Sequence, residues 1–121
     1  MAQILVLDDI RDAVVLTKRI LEESGHTVHA FTDEEEALAF VRDHRVDLAI
    51  LDVRLKKMSG VDVLARIKAL SPATRAIMLT AYPTIETTRD SMRLGAAAVC
   101  TKPIDTQELE EKVAAILGVD A

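Results

Sequence analysis

The sequence predicts an α/β fold, a doubly wound parallel sheet of five strands with five helices on its two faces. Two observations carry this. Short apolar runs of about four to six residues alternate along the chain with longer amphipathic stretches, the pattern of strand–helix–strand units. The runs Ile4-Leu5-Val6-Leu7 and Leu48-Ala49-Ile50-Leu51 are apolar throughout, as strands covered on both faces must be. Strands are expected near 3–7, 27–31, 48–51, 76–80 and 97–101, and helices near 10–23, 34–44, 60–70, 84–94 and 106–117.

Each helix carries its own signals. Ile10, Ala13, Val14, Ile20 and Leu21 form the apolar stripe of the first, which Ser24-Gly25 ends, glycine tolerating the left-handed conformation such an end requires. Thr32 with Glu35 three residues on has the form of a capping box for the second. Its run Glu34-Glu35-Glu36 suits a solvated first turn, where negative charge favours the helix dipole. Ser59-Gly60 introduces the third helix, and Gly95 closes the fourth. The fourth helix's charges Glu86, Arg89, Asp90 and Arg93 read as a solvated face. Asp105 with Glu108 caps the fifth, whose stripe is Leu109, Val113, Ile116 and Leu117.

Composition narrows the function. The 121 residues suit one domain, expected over 1–121, with no internal repeat or linker. No apolar run approaches the roughly 20 residues of a membrane span, and Met1-Ala2-Gln3 leads straight into the first strand without a signal peptide. A cytoplasmic location is therefore expected. The net charge of −5, with no basic stripe, argues against direct nucleic-acid binding. With Phe31, Phe40 and Tyr82 as the aromatic residues, there is no stacking platform for bases. Cys100, the single cysteine, lies in an apolar stretch and reads as a buried, inert thiol. His26, His29 and His44 share no metal-ligand spacing and read as surface or edge residues.

The chemistry lies at the strand ends. The first strand runs into Asp8 and Asp9 and the third into Asp52. In the flavodoxin-like strand order 2-1-3-4-5, winding reverses between strands one and three, and ligands bind at the carboxyl ends there. Three acids therefore meet in one crevice. Two carboxylates about 4 Å apart repel by roughly 4 kcal/mol at an effective dielectric near 20, so a hard cation such as Mg²⁺ belongs among them. The fourth strand ends in Thr80-Ala81 and the fifth in Thr101-Lys102-Pro103, adding a hydroxyl and an amine. Singly these residues are ordinary. A lone Asp52 reads as a helix cap, Asp9 as the cap of the first helix, Thr80 as a β-branched strand residue and Lys102 as a surface lysine. Their ordered placement at four strand ends makes a site for an anionic phosphoryl group.

The set Asp8-Asp9, Asp52, Thr80-Ala81 and Lys102-Pro103, with Gly60 after the third strand, resembles the receiver domain of two-component response regulators, over essentially the whole chain. The resemblance implies a phosphorylation-activated switch. Asp52 would be the phosphoacceptor. Asp8, Asp9, Asp52 and the backbone carbonyl of Arg54 would hold Mg²⁺. Thr80 would bond a phosphoryl oxygen and Lys102 pair with the acyl phosphate, and the peptide before Pro103 would be cis. The phosphoryl donor would be a sensor histidine kinase or a phosphotransfer protein. Output would pass through the face made by helix four, strand five and helix five, with phosphorylation-dependent homodimerisation the family's usual route. The domain would be no enzyme beyond its own phosphorylation and dephosphorylation.

Some positions depart from the family. Val99 stands where an aromatic switch residue is usual, so Thr80 and the loop after it are expected to carry the switch. Lys56 replaces a common proline, which implies a more mobile loop. Arg54 and Tyr82, both bulky, flank the site where the family tunes attack by water, implying a long-lived phosphoryl group. Two other readings compete. An aspartate-nucleophile phosphatase of the haloacid dehalogenase type requires Asp-x-Asp and longer insertions, where this chain has Asp8-Asp9-Ile10 and short loops. A pseudo-receiver, binding partners without phosphorylation, has the intact acids, Thr80 and Lys102 against it.

Overall fold

The computed structural model describes residues 2–118. Five strands, β1 (Gln3–Leu7), β2 (Thr27–Phe31), β3 (Leu48–Asp52), β4 (Arg75–Thr80) and β5 (Ala98–Thr101), alternate with α1 (Arg11–Glu23), α2 (Glu34–Asp43), α3 (Gly60–Leu70), α4 (Ile85–Arg93) and α5 (Thr106–Leu117). All strand pairs are parallel and the order is β2-β1-β3-β4-β5. The expected elements are all present, with ends displaced by one residue at most.

Strand alternation divides the core in two. Leu5, Leu7, Ala49, Leu51, Ala76 and Met78 face α2 and α3, whose Ala37, Leu38, Val41, Val63, Leu64 and Ile67 cover them. Ile4, Val6, Leu48, Ile50, Ile77 and Leu79 face Val14 and Leu21 of α1 and Leu109 and Val113 of α5. Helices thus lie on both faces, and winding reverses between β1 and β3. At the foot of the sheet Arg75, the first residue of β4, donates a guanidinium hydrogen bond to the carbonyl of Ile116 near the end of α5.

Two local expectations are corrected. The second helix is capped by Asp33, whose carboxylate accepts from the Glu36 amide at 3.0 Å, and not by Thr32 with Glu35. Asp33 is the better acceptor because its charge meets the helix dipole. Ile10 lies outside the α1 stripe. It is the N-cap residue and 58% exposed. Its backbone is extended there, so helical periodicity does not yet govern where its side chain points. The other caps follow the sequence reading. Ser59 accepts from Asp62, Asp105 from Gln107 and Glu108, and Gly25 and Gly95 adopt positive φ after α1 and α4. Cys100 is buried, which pushes its thiol pKa up. His29 and His44 flank the Phe40 ring beside the edge strand β2, with centroids at 4.5 and 4.1 Å.

Candidate functional site

Register brings the acids together. Leu7 pairs with Leu51, so the residues that follow, Asp8 and Asp52, leave the sheet side by side. Asp8, Asp9 and Asp52 each offer a carboxylate oxygen, all within 4.8 Å of one another. Oxygens around a six-coordinate Mg²⁺ with bonds near 2.1 Å lie about 3.0 to 4.2 Å apart. Three hard anionic donors at this spacing fit such an ion with little adjustment. Asp9 does not cap α1, whose N-cap residue is Ile10 with no side-chain cap bond, and the Ile10 amide bonds Asp8 Oδ1 at 3.0 Å.

Lys102 reaches the cluster from β5. Its backbone amide bonds the Thr80 carbonyl at 2.8 Å, tying the ends of β4 and β5 together. Its Nζ lies 2.6 Å from Asp8 Oδ2 and 3.0 Å from Asp52 Oδ2. The Lys102–Pro103 peptide is cis. Thr80 is buried, and its hydroxyl accepts from the Tyr82 amide at 3.1 Å, which leaves the hydroxyl proton free to donate. Val99 lies half-buried against the α2/α3 side of the core. Arg54 and Tyr82, placed on two different loops, meet each other, with the guanidinium 4.7 Å from the ring centroid.

The electrostatics follow from burial. Asp52 is 8% exposed. Desolvation pushes its pKa above the ordinary carboxylate value and the Asp8 charge adds to this. Bonds from Lys102 and the Arg54 amide oppose the rise without cancelling it. Burial works against the Lys102 charge, yet its bonds to Asp8 and Asp52 outweigh burial and raise its pKa. A carboxylate whose folded pKa is raised stabilises the fold fully below its unfolded value of 3.8, and that contribution is lost as pH rises through the folded value. Asp52→Asn is therefore expected to raise the urea unfolding midpoint at neutral pH, and to raise it less as pH approaches 3.8. An equal gain at both would contradict this.

Glu34 is not solvated. It is 1% exposed, and its Oε2 accepts from the backbone amides of Lys57 at 2.5 Å and Met58 at 3.0 Å. The available signal was spacing, since Glu34, Ala37, Leu38 and Val41 fall at i, i+3, i+4 and i+7 and share the buried face of α2.

A domain wound this way, with acids, hydroxyl and amine at its switch point, has clear relatives. The sequence model of the response regulator receiver domain matches residues 4–114. The transcriptional regulatory protein ZraR of Salmonella typhimurium is 35% identical over 108 residues, covering 89% of this chain and 24% of that protein. The chain thus spans about a quarter of that relative's length. Sporulation initiation phosphotransferase F of Bacillus subtilis is 30% identical over 111 residues, covering 92% of this chain and 90% of that one. Among solved structures, the CheY-like receiver domain protein of Methanospirillum hungatei JF-1 superposes with a TM-score of 0.95 at 32% identity, covering 98% of this chain and 94% of that one. The chain belongs to the response regulator receiver domain family, the signalling domains of two-component systems that work with histidine kinases or phosphotransfer proteins. No described helix is long and apolar enough to cross a membrane.

Proposed function

We propose that this chain is a single receiver domain over residues 1–121, working in the cytoplasm as a phosphorylation-activated switch. The observation that carries the reading is Lys102 Nζ bridging Asp8 and Asp52 at the end of the sheet, inside a cluster of three carboxylates. Asp52 is the nucleophile. One of its oxygens attacks the phosphorus of a phosphohistidine or of acetyl phosphate. A P–O bond to Asp52 forms as the P–N or P–O bond to the donor breaks, and the bonding pair leaves with the imidazole or acetate. Asp8, Asp9, Asp52 and the Arg54 carbonyl hold Mg²⁺, which when bound neutralises phosphoryl charge. Lys102 then turns from Asp52 to the new phosphoryl oxygens, and the Thr80 hydroxyl donates a hydrogen bond to one of them. Because Thr80 also holds the Tyr82 amide, its movement pulls on the loop leading to α4 and alters the α4–β5–α5 surface. Hydrolysis by water returns inorganic phosphate and the free carboxylate, so the domain catalyses these two steps on itself and no others.

Intact mass after incubation with acetyl phosphate and Mg²⁺ tests this. A single phosphoryl adduct is expected in wild type, absent from Asp52→Ala and lost on chelation. Sedimentation of the labelled sample checks for a phosphorylation-dependent homodimer. If no adduct forms, and a kinase also fails to label the protein, the chain is a pseudo-receiver. Arg54, two residues past Asp52, stacks on Tyr82 of the loop after β4, and this bulky pair hinders attack by water. Arg54→Ala is expected to hydrolyse its acyl phosphate faster than wild type in a decay time course. Slower or equal decay would refute the shielding role.

A further inference from the structure

We infer that Glu34 is a positioning residue for the site, a latch that holds the β3–α3 loop in the form that presents Arg54 to the metal. The inference rests on the proposed receiver chemistry and assigns it a residue outside the crevice. The loop, residues 53–59, leaves β3 directly after Asp52. Its start is tied to β3 and β4, the Arg54 amide bonding Asp52 Oδ1 at 3.2 Å and the Val53 amide the Leu79 carbonyl at 3.0 Å, and its two ends are joined by the Gly60 amide bonding the Val53 carbonyl at 2.7 Å. Its middle is tied to α2, through the two amides that Glu34 Oε2 accepts. A carboxylate is costly to bury unless charge-assisted bonds compensate it, and a first-turn glutamate could satisfy the α2 dipole from solvent, as Glu35 and Glu36 do. Glu34 instead lies fully inside and spends one oxygen on the loop backbone three and four residues past Arg54. Outside it, Lys57 Nζ pairs with Asp33 Oδ1 at 2.5 Å, but an exposed pair of this kind contributes little. With lysine and no proline at position 56, the middle of the loop has no ring to restrict its backbone, and the buried carboxylate supplies the restraint there.

The test is Mg²⁺ titration of the whole chain, followed by amide NMR at Asp8, Asp9 and Arg54, with urea unfolding measured in parallel. Glu34→Ala is expected to weaken Mg²⁺ by about tenfold, as loss of a ligand's support typically does. Its acetyl phosphate labelling rate is expected to recover at saturating Mg²⁺. Glu34→Gln keeps an acceptor oxygen and is expected to restore wild-type affinity. Val41→Ala, at the far end of α2, is expected to lose stability and leave Mg²⁺ affinity unchanged. If Glu34→Ala does not fold, Glu34→Asp, which withdraws the acceptor by one methylene, takes its place with the same expectation. Wild-type affinity in the folded alanine or aspartate variant, or an equal loss in Val41→Ala, overturns the latch while leaving the receiver reading intact. A wild type that neither binds Mg²⁺ nor takes a phosphoryl group overturns both.

Discussion

Replacing Lys102 with alanine is expected to tighten Mg²⁺ binding and to slow phosphorylation of Asp52 by about a hundredfold, the usual cost of losing one preorganised charge stabiliser. The opposite signs follow from the two positions the amine must occupy. In the resting protein Nζ sits 2.6 Å from Asp8 and 3.0 Å from Asp52. It offsets one of three negative charges and competes with any second cation for the same oxygens. Its removal leaves −3 in place of −2, which attracts a dication more strongly. In the transfer step the incoming phosphoryl group adds negative charge that the amine no longer meets. Mg²⁺ titration and labelling time courses at saturating Mg²⁺ separate the two effects. Lys102→Arg is not expected to rescue transfer, since a planar fork does not replace a compact ammonium point charge. An alanine variant that labels at the wild-type rate would remove Lys102 from the chemistry.

Gly60→Ala is expected to destabilise the fold by roughly 3 kcal/mol, at the upper end of overpacking costs, and to slow labelling as well. A Cβ at Gly60 would stand 2.0 Å from the Asp52 carbonyl oxygen and 2.8 Å from Val53 Cα. Both are backbone atoms at the strand end that carries Asp52, so neither can move aside as a side chain would. Gly25 makes the informative comparison. Its φ is +95° and nothing lies within 4 Å of its would-be Cβ. Gly25→Ala therefore meets conformational strain alone, on the order of 1 kcal/mol. Urea unfolding of the two variants distinguishes contact from conformation. Equal losses would mean that the approach to Asp52 is not what requires glycine at 60.

The parts legible in the sequence are those that local periodicity determines. Ile4–Leu7 and Leu48–Leu51 announced buried parallel strands, and each ran directly into its acids, so topology alone placed Asp8 and Asp52 together. Thr80 and Lys102 were legible for the same reason, as the polar residues that end β4 and β5. What was missed depends on which loop folds over which helix. Glu34 looked like its neighbours Glu35 and Glu36 because its partners lie 23 and 24 residues away, on a loop whose path no local pattern dictates. Its place on the stripe with Ala37, Leu38 and Val41 was visible but was outweighed by its charge. Thr32 and Asp33 are both good caps one residue apart, and a capping pattern cannot say which residue turns the chain. Arg54 and Tyr82 were each placed beside the site, but their stacking on one another depends on the paths of two loops, which strand order does not dictate.

The tie between Arg75 and Ile116 sets the last turn of α5 against the start of β4. The helix starts four residues beyond Lys102 and ends fastened to the opposite rim of the sheet, at the first residue of β4. Twelve residues of α-helix make a rod of about 18 Å. The one helix thus spans the sheet from the end that carries Lys102 to the rim where β4 begins.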